Sequence, residues 1–294
     1  MSLSVQIGLL LALATAFTSI VGFLYKHRGA VEAPDIDWRR PVASSLRLFS
    51  SPWYTLGIVV ATASWGFHVA ALSLAPISLV QSVIAGGLVL LTVVADRLFG
   101  FTVTRREWIG VALTALGLSF LAATLDGAAD SAHSSYETGT LVLWVALGAG
   151  IGVVVAAIAA RRMGARGGPA LGLAAGLLWG ASDVTIKALS DSLDGGAVAV
   201  LAHPLAAVIA LLSLAGLLVS AGSLQLGPAV PVIAVTSAAA NVWTIASGPI
   251  VFGEPLPEDT PGVVLRLAAF ALVIGAAALT PPPVRAAGVE PEPA

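Results

Sequence analysis

Asp183 lies in WGASDVTIKAL, where the next charge is Lys187, four residues on. His68 sits in SWGFHVAAL, Gln81 in LAPISLVQS and Asn241 in SAAANVWTIASG, each inside an apolar run. A carboxylate and an imidazole can pass protons. A carboxylate with two amide oxygens can ligate a hard cation such as Mg²⁺, which makes Asp183 the candidate metal ligand. Trp65, Trp179 and Trp243 stand near these groups and could wall a pocket. Each residue also has a plainer reading. Asp183 and Lys187, spaced i, i+4, can pair along one helix face. His68 can bond a neighbouring carbonyl, Asn241 and Gln81 can join helices, and the tryptophans can pack in a core or an interfacial belt.

What must position these residues is a membrane bundle. The 294 residues are 57% hydrophobic and 10% charged, against about 25% charged in soluble domains. The mean hydropathy is +0.96. Apolar runs near 20 residues match a hydrocarbon core of about 30 Å, and the short alternating segments of an outer-membrane barrel are absent. The pattern predicts an all-α integral membrane protein with about nine spans, near 3–24, 53–75, 77–97, 107–125, 139–160, 169–188, 198–221, 229–253 and 263–281. The loop 25–52 is long and basic, and its WRRPVASSLRLF reads as an interfacial helix or a solvated loop. The tail 282–294 is Pro-rich and reads as disordered. The N-terminus reads as a retained first span, without the features of a cleaved signal peptide.

Twelve of the 14 Lys and Arg residues fall in alternate breaks, among them Lys26, Arg28, Arg97, Arg105, Arg161 and Arg285. The other breaks hold acids such as Asp126, Glu137, Asp191 and Glu254. By the positive-inside rule the N-terminus is outside and the C-terminus cytoplasmic, in a cell (inner or plasma) membrane. Glu254 and Arg266 are expected to form an ion pair at the outer rim, and His203-Pro204 to begin a span. Counting ~1.5 Å per residue from the inner end of span six puts Asp183 ~20 Å deep. His68, Asn241 and Gln81 reach a similar level from three other spans. An ionisable group there costs roughly 2.5–3.5 kcal/mol and is a functional candidate.

The phrase SLAPISLVQSVIAGG (73–87) returns as QLGPAVPVIAVTSAA (225–239), with Pro76 matching Pro228. GFLYKHRGA (22–30) and DVTIKALSD (183–191) form a second pair that matches Lys26 to Lys187. The threading places each pair in opposite orientations. This predicts a first repeat of four helices (1–125), a linking helix (139–160) and an inverted second repeat (169–281), a plan found in secondary transporters.

On these residues the chain resembles the drug/metabolite transporter superfamily. The carriers are YKHRG, AALSLAPISLVQS…ADRLFG and GSLQLGPAVPVIAV…GPIVFGE, with the EamA-like WGASDVTIKAL opening the second half. Within the superfamily it is most similar to nine-span NIPA-type proteins, whose members are described as magnesium transporters. The resemblance implies the fold and a transported ion. The residues themselves leave the substrate open between Mg²⁺ and a small organic metabolite exported with proton coupling. A non-transporting scaffold or sensor is the third class. On either transport reading Asp183, His68, Asn241, Gln81, Trp65, Trp179 and Lys187 are the binding or coupling candidates.

HExxH, GxxxxGK[ST], the dinucleotide fingerprint and the nucleophile elbow are all absent, so no enzyme is expected. No resident cofactor is implied. No basic tract with interleaved aromatics suggests nucleic acid. The expected partners are the lipid bilayer and a small solute or ion, with a homodimer among the assemblies the sequence allows. Zero cysteines exclude disulfides and thiolate metal sites.

Overall fold

The computed structural model describes residues 2–31, 46–87, 105–124, 130–161, 167–190, 192, 196–226 and 229–279. The described residues form ten helices and no strand: α1 (Leu3–Val31), α2 (Pro52–Leu74), α3 (Ile77–Gly87), α4 (Arg105–Ala123), α5 (Thr138–Arg161), α6 (Gly167–Ser190), α7 (Gly196–Ala202), α8 (Pro204–Leu226), α9 (Ala229–Val251) and α10 (Thr260–Leu279). By length and composition α2, α5, α6 and, over Pro204–Ser223, α8 can each cross a membrane, and shorter apolar stretches lie at Leu3–Ser19, Ile77–Gly87 and Thr260–Ala276. Large apolar side chains on α5, including Leu143, Val153 and Ile158, remain exposed. Such a surface suits lipid, because water would penalise so contiguous an apolar patch.

Local chemistry sets the helix ends. Ser51 is extended and Pro52 opens α2 at a position where no N–H is needed. Ala75 is extended too (φ −141°, ψ 157°) because Pro76 excludes the helical conformation from the residue before it, and α2 stops there. Glu137 caps α5. Its carboxylate accepts the Thr140 hydroxyl (2.6 Å) and the N–H groups of Gly139 (2.9 Å) and Thr140 (2.6 Å), which together hold it below the usual carboxylate range. His203 Nδ1 accepts the Leu205 N–H (3.2 Å) and Pro204 opens α8, so the expected span at 198–221 is broken into α7 and α8. The first helix runs seven residues past its expected end at 24, carrying Lys26 and Arg28 with it. Arg28 lies 4.0 Å over the Trp53 ring, an anchor that favours the extension.

Packing centres on α6. Its most apolar window is 72% buried, against 28% for α2, 17% for α5 and 22% for α8. α5, α8 and α9 all lie against it, and α2 touches it. Glycine permits the closest approach. A Cβ on Gly172 would stand 2.9 Å from both the Val232 carbonyl and the Thr236 hydroxyl of α9. α1 packs along α2, and α4 packs along α10 where Gly117 faces Val273.

Several sequence expectations fall outside the described residues: residues 88–97 of span three, most of the basic loop, Arg97, Asp126, Asp191, Pro228 and the tail 282–294. Of WRRPVASSLRLF only the end is described. There a 3₁₀ turn at Leu48–Ser50 buries Leu48 beside Tyr54.

Candidate functional site

Three of the four polar residues counted to one depth meet. His68 Nε2 lies 3.1 Å from Asp183 Oδ1, and Gln81 Nε2 donates to Asp183 Oδ2 at 3.1 Å. The cluster joins α2, α3 and α6. His68 and Gln81 are buried, while the Asp183 side chain keeps 22% of its surface. His68 Nδ1 is buried with no hydrogen-bond partner among the described residues. The imidazole is therefore held from one side only.

Asn241 takes no part. Its amide donates to Ser237 Oγ (3.2 Å) one turn back on α9, a bond within its own helix. Trp243 is core packing: it stacks on Trp144 at 4.4 Å between ring centroids, over Gly148. Trp65 and Trp179 both line a cavity of about 480 Å³ bounded by α1, α2, α6, α7 and α8.

Lys187 has a different role from the helix-face pair weighed for it with Asp183. It is fully buried, and its Nζ donates to the carbonyls of Leu72 (2.7 Å), Ala75 (3.0 Å) and Ala132 (2.5 Å). The reason lies in Pro76. In a continuing helix the Leu72 carbonyl would accept the N–H of residue 76, and proline has none. The ammonium supplies that donor from another helix, and a cation at a helix C-terminus also suits the helix dipole.

The start of α3 is gripped in the complementary sense. Glu254 Oε1 accepts the Ser78 N–H at 3.3 Å, which places an acid at a helix N-terminus. Glu254 is almost completely buried in the turn after α9, where Gly253 adopts φ 59° and the Glu254 N–H returns to the Gly248 carbonyl (3.1 Å). Burial raises its carboxyl, while the Ser78 hydrogen bonds, Lys187 and His133 oppose the rise. The expected Glu254–Arg266 pair is thereby corrected. Arg266 instead donates to Thr124 Oγ1 (3.2 Å) and the Pro255 carbonyl (2.8 Å), closing the turn onto α4. Among the described residues Glu254 bonds a backbone N–H, and Arg266 bonds a hydroxyl and a carbonyl, at these buried helix ends.

The sequence held a signal for the Lys187 contact: a helix-breaking proline and a buried lysine at the same depth. It held none for Lys26 as a cavity residue, since the basic cluster at the end of span one reads as solvated. Compared with protein-family models, with curated proteins and with solved structures, the chain matches none of them.

Proposed function

We propose that the chain is a secondary membrane transporter of small organic solutes, with proton exchange at Asp183 and His68 driving alternating access. The carrying observation is the His68–Asp183–Gln81 cluster, which ties a helix of the second half to two helices of the first inside an apolar bundle. An ionisable pair held there is costly, which makes it a functional candidate by default. Protonation changes the charge of the pair and hence the hold of one half on the other.

Helix pairing supports the two-repeat reading. α1 packs along α2 and meets α3 where Gly87 faces Ala16, and α6 packs along α8 and meets α9 where Gly172 faces Val232. α4 and α10, last in their halves, pack on each other, as a two-fold axis in the membrane plane would require. The second half's Lys187 and Glu254 close the break between α2 and α3 at what the charge pattern reads as the outer face. The magnesium reading finds less support. Both Asp183 oxygens already accept hydrogen bonds, and Gln81 presents its NH₂ group rather than its oxygen.

The test is flux in liposomes holding a pH-sensitive dye and a Mg²⁺-sensitive dye. A panel of amphiphilic solutes is expected to drive proton movement in wild type and none in Asp183→Asn. Mg²⁺ entry lost in Asp183→Ala would replace this reading with the divalent-cation one. Silence of both dyes, with Asp183→Asn equivalent to wild type in cells, would place the chain among non-transporting membrane proteins.

A further inference from the structure

We infer that the cavity between the halves takes an amphipathic organic monoanion, with its apolar body between Trp65 and Trp179 and its charge on Lys26. This names the substrate class of the transporter proposed above and rests on that reading. The cavity, about 480 Å³, has the size that holds a drug-sized ligand. Its walls are mostly aliphatic, with Ile58, Val69, Ile209 and Leu217 typical. Few hydrogen-bond donors remain in it. Thr62 donates to the Ile58 carbonyl (2.9 Å), Ser190 to the Lys187 carbonyl (2.6 Å), and Ser213 is paired with Ser182 (3.1 Å). Such walls select a greasy body.

Charge selects the rest. Lys26 is the one charged residue among the described lining, and its ammonium makes no hydrogen bond or ion pair with any described residue. Its position is fixed from behind: a Cβ on Gly57 would stand 2.6 Å from the Lys26 backbone nitrogen and 2.7 Å from its Cγ, so the backbone and the start of the Lys26 stem lie directly against α2. An ammonium facing apolar walls without a counter-ion is costly. A ligand that brings a carboxylate or sulfonate removes that cost, whereas a cationic drug or bare Mg²⁺ would add to it. Asp183 does not line the cavity, so proton and solute occupy neighbouring sites. Trp65 and Leu201, 49% and 78% exposed, stand on the open side. The anion can therefore come from water, as an aromatic or alkyl acid, or from the bilayer, as a fatty acid.

Binding to the full chain in phosphatidylcholine nanodiscs, read by calorimetry, tests this. 2-Naphthoate is expected to bind about tenfold tighter than 2-naphthalenemethanol or 2-naphthylmethylammonium. Lys26→Met should abolish that preference, Lys26→Arg should keep it, and Trp65→Ala should weaken acid and alcohol alike. If Lys26→Met does not fold, Thr62→Glu sets a carboxylate in the same cavity and should repel naphthoate while sparing the alcohol. Equal binding of the three probes, or an acid preference that survives Lys26→Met and Thr62→Glu, overturns the inference. Competition by oleate assigns the anion to the bilayer; competition by short water-soluble acids alone assigns it to water. Both support an anion on Lys26. Because no flux is read, loss of the charge preference leaves the transport reading standing. Lys26-dependent binding in a protein silent to both dyes would overturn the transport reading alone.

Discussion

Replacing Lys187 by methionine keeps most of the apolar stem and removes the ammonium. Three carbonyls lose a donor at once, those of Leu72, Ala75 and Ala132. A buried acceptor left unsatisfied costs about 1–3 kcal/mol. The Leu72 carbonyl stands at the upper end, since Pro76 denies it any helical partner. Against this, the variant no longer buries a charge, which offsets part of the loss. The net expectation is roughly 3 kcal/mol of destabilisation. For a chain of this size that lowers the melting midpoint by roughly 5–10 °C, measurable by intrinsic tryptophan fluorescence of the detergent-solubilised protein. A second substitution isolates the cause. Pro76→Ala restores an N–H that can reach the Leu72 carbonyl, so it should be less damaging in the Lys187→Met background than in wild type. The double-mutant cycle measures that coupling. A midpoint for Lys187→Met within about 1 °C of wild type, or strict additivity with Pro76→Ala, would refute the argument that the lysine replaces the donor proline lacks.

Two further outcomes follow from the same packing. Glu254 is raised by burial, so its contribution to stability is fully present below the ordinary carboxyl value and is lost as pH rises through the elevated folded value. The midpoint of wild type minus that of Glu254→Gln should thus fall with rising pH above that ordinary value; a difference that stays flat refutes the assignment. Gly148→Ala would set a methyl group 2.6 Å from the Trp243 ring where it stacks on Trp144. Overpacking there should cost about 1–3 kcal/mol and change the tryptophan emission, and an unchanged spectrum with unchanged stability would show that the stack can move aside.

Much of this is legible in the chain itself. Helix ends followed from Pro52, Pro76 and Pro204, because proline constrains its own φ, its missing N–H and the residue before it. That His68, Gln81 and Asp183 share a level followed from counting residues along apolar helices, since a fixed rise per residue converts position into depth. Depth alone could not set azimuth, and so Asn241, at nearly the same level, bonds within its own helix. The span bounds 198–221 ran through the break at Ala202–Pro204 because hydropathy stays high across it, although His203-Pro204 by itself marks a helix start.

The sequence by itself determined an all-helical, lipid-compatible chain whose few polar residues are buried at recognisable depths. It did so because hydrogen bonding within a helix and burial of apolar surface are local properties of the chain. Only the tertiary structure decided which partner each buried polar group takes. Lys187 and the Leu72 carbonyl are 115 residues apart, as are His68 and Asp183. A buried charge takes the donors or acceptors that packing brings within about 3 Å of it, so Lys187 turns to carbonyls rather than to the acid one turn away. The cavity facing Lys26 has the same origin, for it exists only where α1, α2, α6, α7 and α8 fail to fill the space between them.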